Sequence, residues 1–123
     1  MREILFRGKS VDSGEWMYGE YNEINNYSYI RYEDNYGKEY REEIHPDSLG
    51  QFTGLTDKNG RKIFEGDIVQ LHNQFYPIYW IDKYARFAAK PKGAVFAVIP
   101  FDQGEVVGNV HDNPELLVGV ANG

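Results

Sequence analysis

The chain of 123 residues contains no cysteine. That removes disulfides, thiol nucleophiles and cysteine-held zinc or iron–sulfur centres together. No apolar run approaches the roughly 20 residues that a membrane-spanning helix needs. The opening residues, MREILFRGK, mix charge into their apolar positions and do not read as a signal peptide. These absences predict a soluble, cytoplasmic protein. Histidine is scarce: His45, His72 and His111 lie far apart, and no two have the spacing of metal ligands on one helix or hairpin. They read as exposed or singly hydrogen-bonded side chains. There is no nucleophile elbow and no Ser-His-Asp pattern. Gly50, Gly54 and Gly60 lack the strand–loop–helix setting and the following Lys-Ser/Thr of a phosphate loop. They read as turn positions with positive φ. No catalytic residue, metal ligand or cofactor is expected, and the protein is not expected to be an enzyme.

Basic charge is also short. Thirteen Lys and Arg face nineteen Asp and Glu, a net charge of −6. Phosphate backbones repel such a protein, which argues against bulk nucleic-acid binding. The imbalance is local. Residues 1–54 hold 6 basic and 11 acidic side chains, whereas residues 55–123 hold 7 and 8.

Aromatic residues are abundant: 10 Tyr, 7 Phe and 2 Trp, with 13 Gly beside them. That mixture favours strands and tight turns over helix bundles. The length suits one domain, or two small subdomains sharing a core. Strands are predicted over Glu3 to Arg7, Glu15 to Ile24, Tyr27 to Glu33 and Lys38 to Ile44, an antiparallel meander. Gly19 reads as a bulge within it. Asn25-Asn26 suits a hairpin turn because Asn tolerates left-handed geometry. On the third strand Tyr27, Tyr29 and Arg31 share one face, and Ile30 and Tyr32 the other.

The segment LGQFTGLTDKNG, 49–60, is dense in turn residues and marks the boundary between halves 1–54 and 55–123. Asn59-Gly60 within it predicts a primed hairpin turn. Beyond it lie five short strands: Asp67 to Leu71, Tyr76 to Ile81, Ala85 to Ala89, Ala94 to Ile99 and Glu105 to Val110. Pro77 and Pro100 are expected at strand ends or edges, since they lack a donor. Asn113-Pro114-Glu115 opens a short helical turn, with Asn113 as its cap. The fold expected is all-β: an N-terminal meander, an SH3-like small barrel with Trp80 and Phe87 inside, and that helical turn. Phe6, Gly8 and Gly14 recur in spacing as Phe52, Gly54 and Gly60. Aromatic hairpins with glycine turns often look alike, and we favour that reading over a duplication.

Three stretches carry a resemblance: MREILFRGKSVDSGEWMYGE, GQFTGLTDKNGRKIFEGDIV and EVVGNVHDNPELL. Together they resemble the YopX family of phage and prophage proteins. Residues 50–69 are the most specific part, and residues 70–103 contribute no matching pattern. The resemblance implies a small, mostly β protein encoded by a phage or an integrated prophage, and the location expected is the host cell cytoplasm. It implies no assigned activity, cofactor or catalytic residue.

Glu65-Gly66-Asp67 places two carboxylates beside a turn. A lone pair is poor evidence for a metal or acid–base site, and a tight turn accounts for it. Lys83, Arg86, Lys90 and Lys92 place four positive charges around Tyr84 and Phe87. Basic side chains interleaved with aromatics can hold single-stranded nucleic acid. A solvated strand face explains the same pattern, since Arg86, Ala88 and Lys90 alternate with Phe87 and Ala89. The meander tyrosines, Tyr18, Tyr21, Tyr27, Tyr29, Tyr32, Tyr36 and Tyr40, outnumber the core positions one small sheet offers. Exposed aromatics on a sheet suit protein contact. The leading expectation is a non-enzymatic phage accessory protein that binds a protein partner or a second copy through Tyr27, Tyr29 and Tyr32. The alternative is a nucleic-acid-associated barrel using Lys83, Arg86, Lys90 and Lys92.

Overall fold

The computed structural model describes residues 4–90 and 99–117. The chain is all-β, with its strands in antiparallel sheets, and divides into two compact units, Met1–Phe52 and Thr53–Gly123.

In the first unit the expected meander forms. Its strands are β1 (Phe6–Lys9), β2 (Trp16–Ile24), β3 (Tyr27–Glu33) and β4 (Glu39–Glu43). Their order across the sheet is β4-β3-β2-β1, followed by the start of β5 (Gly50–Thr56). Asn25 and Asn26 make the β2–β3 turn at φ 52° and 71°, the two successive left-handed residues that a primed turn needs. Gly19 is not a bulge. It pairs in register with Phe6, and a Cβ there would run into the carbonyl of Arg31 on the neighbouring strand. Close backbone approach is what the glycine serves.

Among the described residues of this unit the buried apolar side chains are Ile30, Ile44 and Phe52. Polar groups fill much of the rest. Ser10 is fully buried, and its Oγ accepts the Asp12 and Ser13 N–H groups and donates to Glu42. Ser48 Oγ accepts the Lys9 N–H at 2.7 Å.

The segment 49–60 corrects the reading of it as pure punctuation. Gly50–Thr56 is a strand that finds a partner in β1, through Phe6 opposite Gln51 and Arg7 opposite Gly50. Its far end is paired with β6 (Lys62–Phe64) in the second unit, where Thr53 Oγ1 donates to the Ile63 carbonyl. The turn between them is not the primed type either. Gly60 alone in it takes the left-handed position, at φ 83°.

The second unit continues with β7 (Asp67–Leu71), β8 (Gln74–Ile81), β9 (Arg86–Ala89) and β10 (Glu105–Asn109), in the order β10-β7-β8-β9. The strand expected over 94–99 falls on residues 94–98, outside the described residues. Pro77 lies inside β8 rather than at its end, and the ladder explains how. Residues up to Pro77 pair with β7, and residues from Ile78 onward pair with β9. The missing N–H falls at the handover between two partners. His72 and Asn73 form the β7–β8 turn at φ 50° and 63°, a primed turn that His-Asn does not advertise.

Ile63, Val69, Ile78, Ala89, Phe101 and Val106 make the apolar core of this unit. Trp80 and Phe87 are paired across β8 and β9, with rings 4.9 Å apart edge to face. Phe87 packs against the core, but Trp80 is 40% exposed, contrary to its expected place inside. It shares a face with Ile78 but stands one step beyond it, where the buried cluster ends. Its indole N–H donates to Asp82 at 2.7 Å. A helical turn covers 115–117. Asn113 stands at its start, with its carbonyl accepting the Leu116 N–H at 3.1 Å, while its Oδ1 accepts the N–H of Asn109 behind it.

Candidate protein-contact face

Period-two alternation sorts the meander side chains. Glu20, Asn22 and Ile24 of β2 lie opposite Arg31, Tyr29 and Tyr27 of β3. Arg31 in turn lies opposite Arg41 of β4, and Tyr29 opposite Glu43. Tyr18 belongs to the same face by parity. Tyr27 is 57% exposed, Tyr18 46% and Ile24 38%, while Tyr29 is half-buried. The other face carries Ile30 and Ser28, both buried, and Tyr21, whose ring lies 5.9 Å from that of Phe6. Of the three sequence candidates, Tyr27 and Tyr29 therefore come together. Tyr32 projects oppositely and stacks on Tyr40 at 5.4 Å.

Arg31 organises the charge on the open face, a role that sequence alternation did not single out. It donates to Glu20 at 2.7 Å and to Glu39 at 2.9 Å, with Glu33 at 3.5 Å. The Glu39 hydrogen bond is the main reason its guanidinium is held charged still more firmly than usual, although partial desolvation opposes this. The Arg31 hydrogen bond likewise holds the Glu39 carboxyl below its ordinary value. Across β2, β3 and β4 the face is acidic, with Glu20, Glu33, Glu39 and Glu43 against Arg31 and Arg41, while Arg7 and Lys9 of β1 add positive charge beside Tyr18.

Asp67 is buried, and its Oδ2 accepts the Phe64 N–H at 2.7 Å, closing the turn before β7. His45, His72 and His111 are exposed. No group of three or more His, Asp or Glu that could hold a metal occurs among the described residues. An open cleft of about 410 Å³ in the second unit is lined by Lys58, Gln70, His72, Asn73 and Gln103 among others. Lys83 and Arg86 flank Tyr84, with their charged ends 5.5 and 5.7 Å from its ring centre. Lys90 is exposed on β9's exit, and Lys92 lies outside the described residues. Among the described residues no helix is long and apolar enough to cross a membrane.

Two antiparallel β units, with aromatics on an open sheet face, define a small all-β protein. The chain belongs to the YopX family, whose profile, described as "YopX protein", matches residues 5–118. No curated protein matches it. It is similar to the crystal structure of protein EF1440 from Enterococcus faecalis, at 24% identity and a TM-score of 0.55, over 95% of this chain and 99% of that one. At that identity the likeness speaks for the fold alone, and it agrees with the all-β reading.

Proposed function

We propose that this is a non-enzymatic accessory protein of phage or prophage origin that acts in the host cytoplasm by binding another protein. The observation that carries the reading is the open meander face, where Ile24 of β2 and Tyr27 of β3 stand opposite each other and exposed, with exposed Tyr18 further along β2 on the same face. Rigid aromatic area costs little entropy to immobilise, and an acidic rim steers and selects a partner. The excess acid of the first unit favours a host or phage protein with a basic surface, or, for a second copy, a contact that keeps those charges at its rim. A contact of about 800 Å² on each side would suffice for a stable complex. The second unit, in this reading, is a small SH3-like barrel.

The test is a pair of measurements on the full chain and on Tyr27→Asp with Ile24→Asp. Sedimentation at micromolar concentration reads self-association, and affinity capture from lysogenic host cells reads other partners. The expected result is a dimer or a basic partner with the parent chain that both substitutions abolish. A monomer that captures nothing specific, or a partner retained equally by the substituted chain, overturns the reading.

A further inference from the structure

The end of the β8–β9 hairpin shows a second arrangement that the meander reading does not use. β8 ends at Ile81, residues Asp82–Tyr84 form a single 3₁₀ turn, and Ala85 takes the left-handed position at φ 49°. That tight reversal leaves the Tyr84 side chain outside any sheet, 54% exposed. Lys83 and Arg86 converge on its ring from either side in sequence. Trp80, exposed beside the same turn, adds a second large ring. The acid nearest in sequence, Asp82, accepts the Trp80 indole N–H and keeps its charge, which Lys83 and Arg86 outnumber. Lys90 extends the positive charge along β9.

We infer that this hairpin end is a contact site for single-stranded nucleic acid. Two terms meet at one place: phosphate contact by the cations over the ring, and base stacking on the ring once a cation swings aside. A duplex hides its base faces, so stacking on Tyr84 or Trp80 requires unpaired bases. The net charge of the whole chain opposes binding, but the excess acid lies in the first unit. The second unit, with 7 basic and 8 acidic side chains over residues 55–123, is close to neutral. The contact is therefore short, involving about three phosphates, and strongly dependent on salt. Its logarithmic salt slope should be about −2 for a single strand.

The test is fluorescence anisotropy of a labelled oligothymidine of about 20 nucleotides with the full chain at low and at physiological salt. The parent chain should bind saturably at low salt, with that slope, and a duplex of equal length should bind more weakly. Lys83→Glu with Arg86→Glu should weaken binding at least about tenfold, and Tyr84→Ala should weaken it several-fold. Tyr84 is exposed, so this variant should keep the parent circular dichroism spectrum. Tyr27→Asp, on the meander face, should leave oligonucleotide affinity unchanged, which separates this site from the protein-contact face. The inference fails if the parent does not bind at low salt, if Tyr84→Ala binds as the parent does, or if polyglutamate competes as well as the oligonucleotide. The last outcome would mark a mere acidic-polymer patch.

Discussion

The same five-residue turn occurs once in each unit, and its two copies do different jobs. Asp34-Asn35-Tyr36-Gly37-Lys38 joins β3 to β4, and Asp57-Lys58-Asn59-Gly60-Arg61 joins β5 to β6. In both, the aspartate Oδ1 accepts the N–H groups two and four residues ahead at 2.9 Å. In both, the glycine donates to the aspartate carbonyl from a left-handed conformation, φ 80° in one and 83° in the other. The difference lies in the second carboxylate oxygen. That of Asp34 accepts a tyrosine hydroxyl, Tyr40, at 3.3 Å near the surface. That of Asp57 accepts the backbone N–H of Val106 on β10 at 2.9 Å, and the residue is only 5% exposed. Local sequence makes the turn in each case. Only at Asp57 does the turn also hold a strand 49 residues away in sequence.

The largest effect should come from breaking that long-range bond. Asp57→Ala strips an acceptor from three backbone N–H groups, including the buried one of Val106, and should cost about 3 kcal/mol. Urea unfolding followed by circular dichroism reads the loss. Asp34→Ala removes the matching local bonds from a half-exposed turn and should shift the midpoint markedly less. Equal losses would mean that the Val106 contact contributes nothing.

The glycines should respond alike, because they share the local part of the motif. Nothing lies within 4 Å of a Cβ built at Gly37 or at Gly60, so only the left-handed backbone penalises a side chain. Gly37→Ala and Gly60→Ala should each cost about 1 kcal/mol. A much larger loss at Gly60 in the same unfolding measurement would show that its turn geometry is coupled to the strand it anchors.

The motif also shows where sequence reasoning reaches and where it stops. Tyr27–Glu33 was readable because its polar and apolar residues alternate, and the alternation correctly set Tyr27 and Tyr29 apart from Ile30 and Tyr32. Gly50–Thr56 was not readable, because two glycines mask a strand whose ordering comes from its partners β1 and β6. Alternation placed Trp80 on the correct face of β8, but it cannot tell where along a face the core ends. The exposed Trp80 is that error, and its truncation should cost far less than the loss of a core indole. Arg31 was assigned a face, but its three carboxylate partners come from β2, β3 and β4, beyond any local pattern.

That Arg31 cluster is the first unit's nearest counterpart to the Asp57 anchor, and it is exposed where Asp57 is buried. Arg31→Gln should lower stability slightly at low salt, and the loss should vanish as salt screens the surface charges. Persistence of the loss at high salt would show that the guanidinium holds the sheet by its hydrogen-bond geometry rather than by its charge.

The smallest effect separates the two aspartates by acidity. For Asp57, burial pushes the carboxyl up, but the N–H groups of Val106, Arg61 and Asn59, with the Arg61 charge, outweigh it and hold the group below its ordinary 3.8. For Asp34, the Lys38 N–H leads, helped by Tyr36 and Tyr40 against partial desolvation, and the direction is the same. A carboxyl depressed by folding contributes stability that is fully present above its unfolded value and is lost as pH falls through its folded value. Asp34→Asn keeps an oxygen for the Tyr36 and Lys38 N–H groups, removes the charge and replaces the acceptor of the Tyr40 hydroxyl with an amide N–H₂. Its deficit against the parent should therefore be small at about pH 7 and should close as the parent's Asp34 becomes protonated in acid. Parallel urea titrations of the two chains from neutral pH downward measure the closing gap. A gap that stays constant below the ordinary carboxylate range would assign the deficit to amide geometry instead. The steeper acid limb of both chains would then belong to groups such as Asp57, where burial raises the cost of losing each bond.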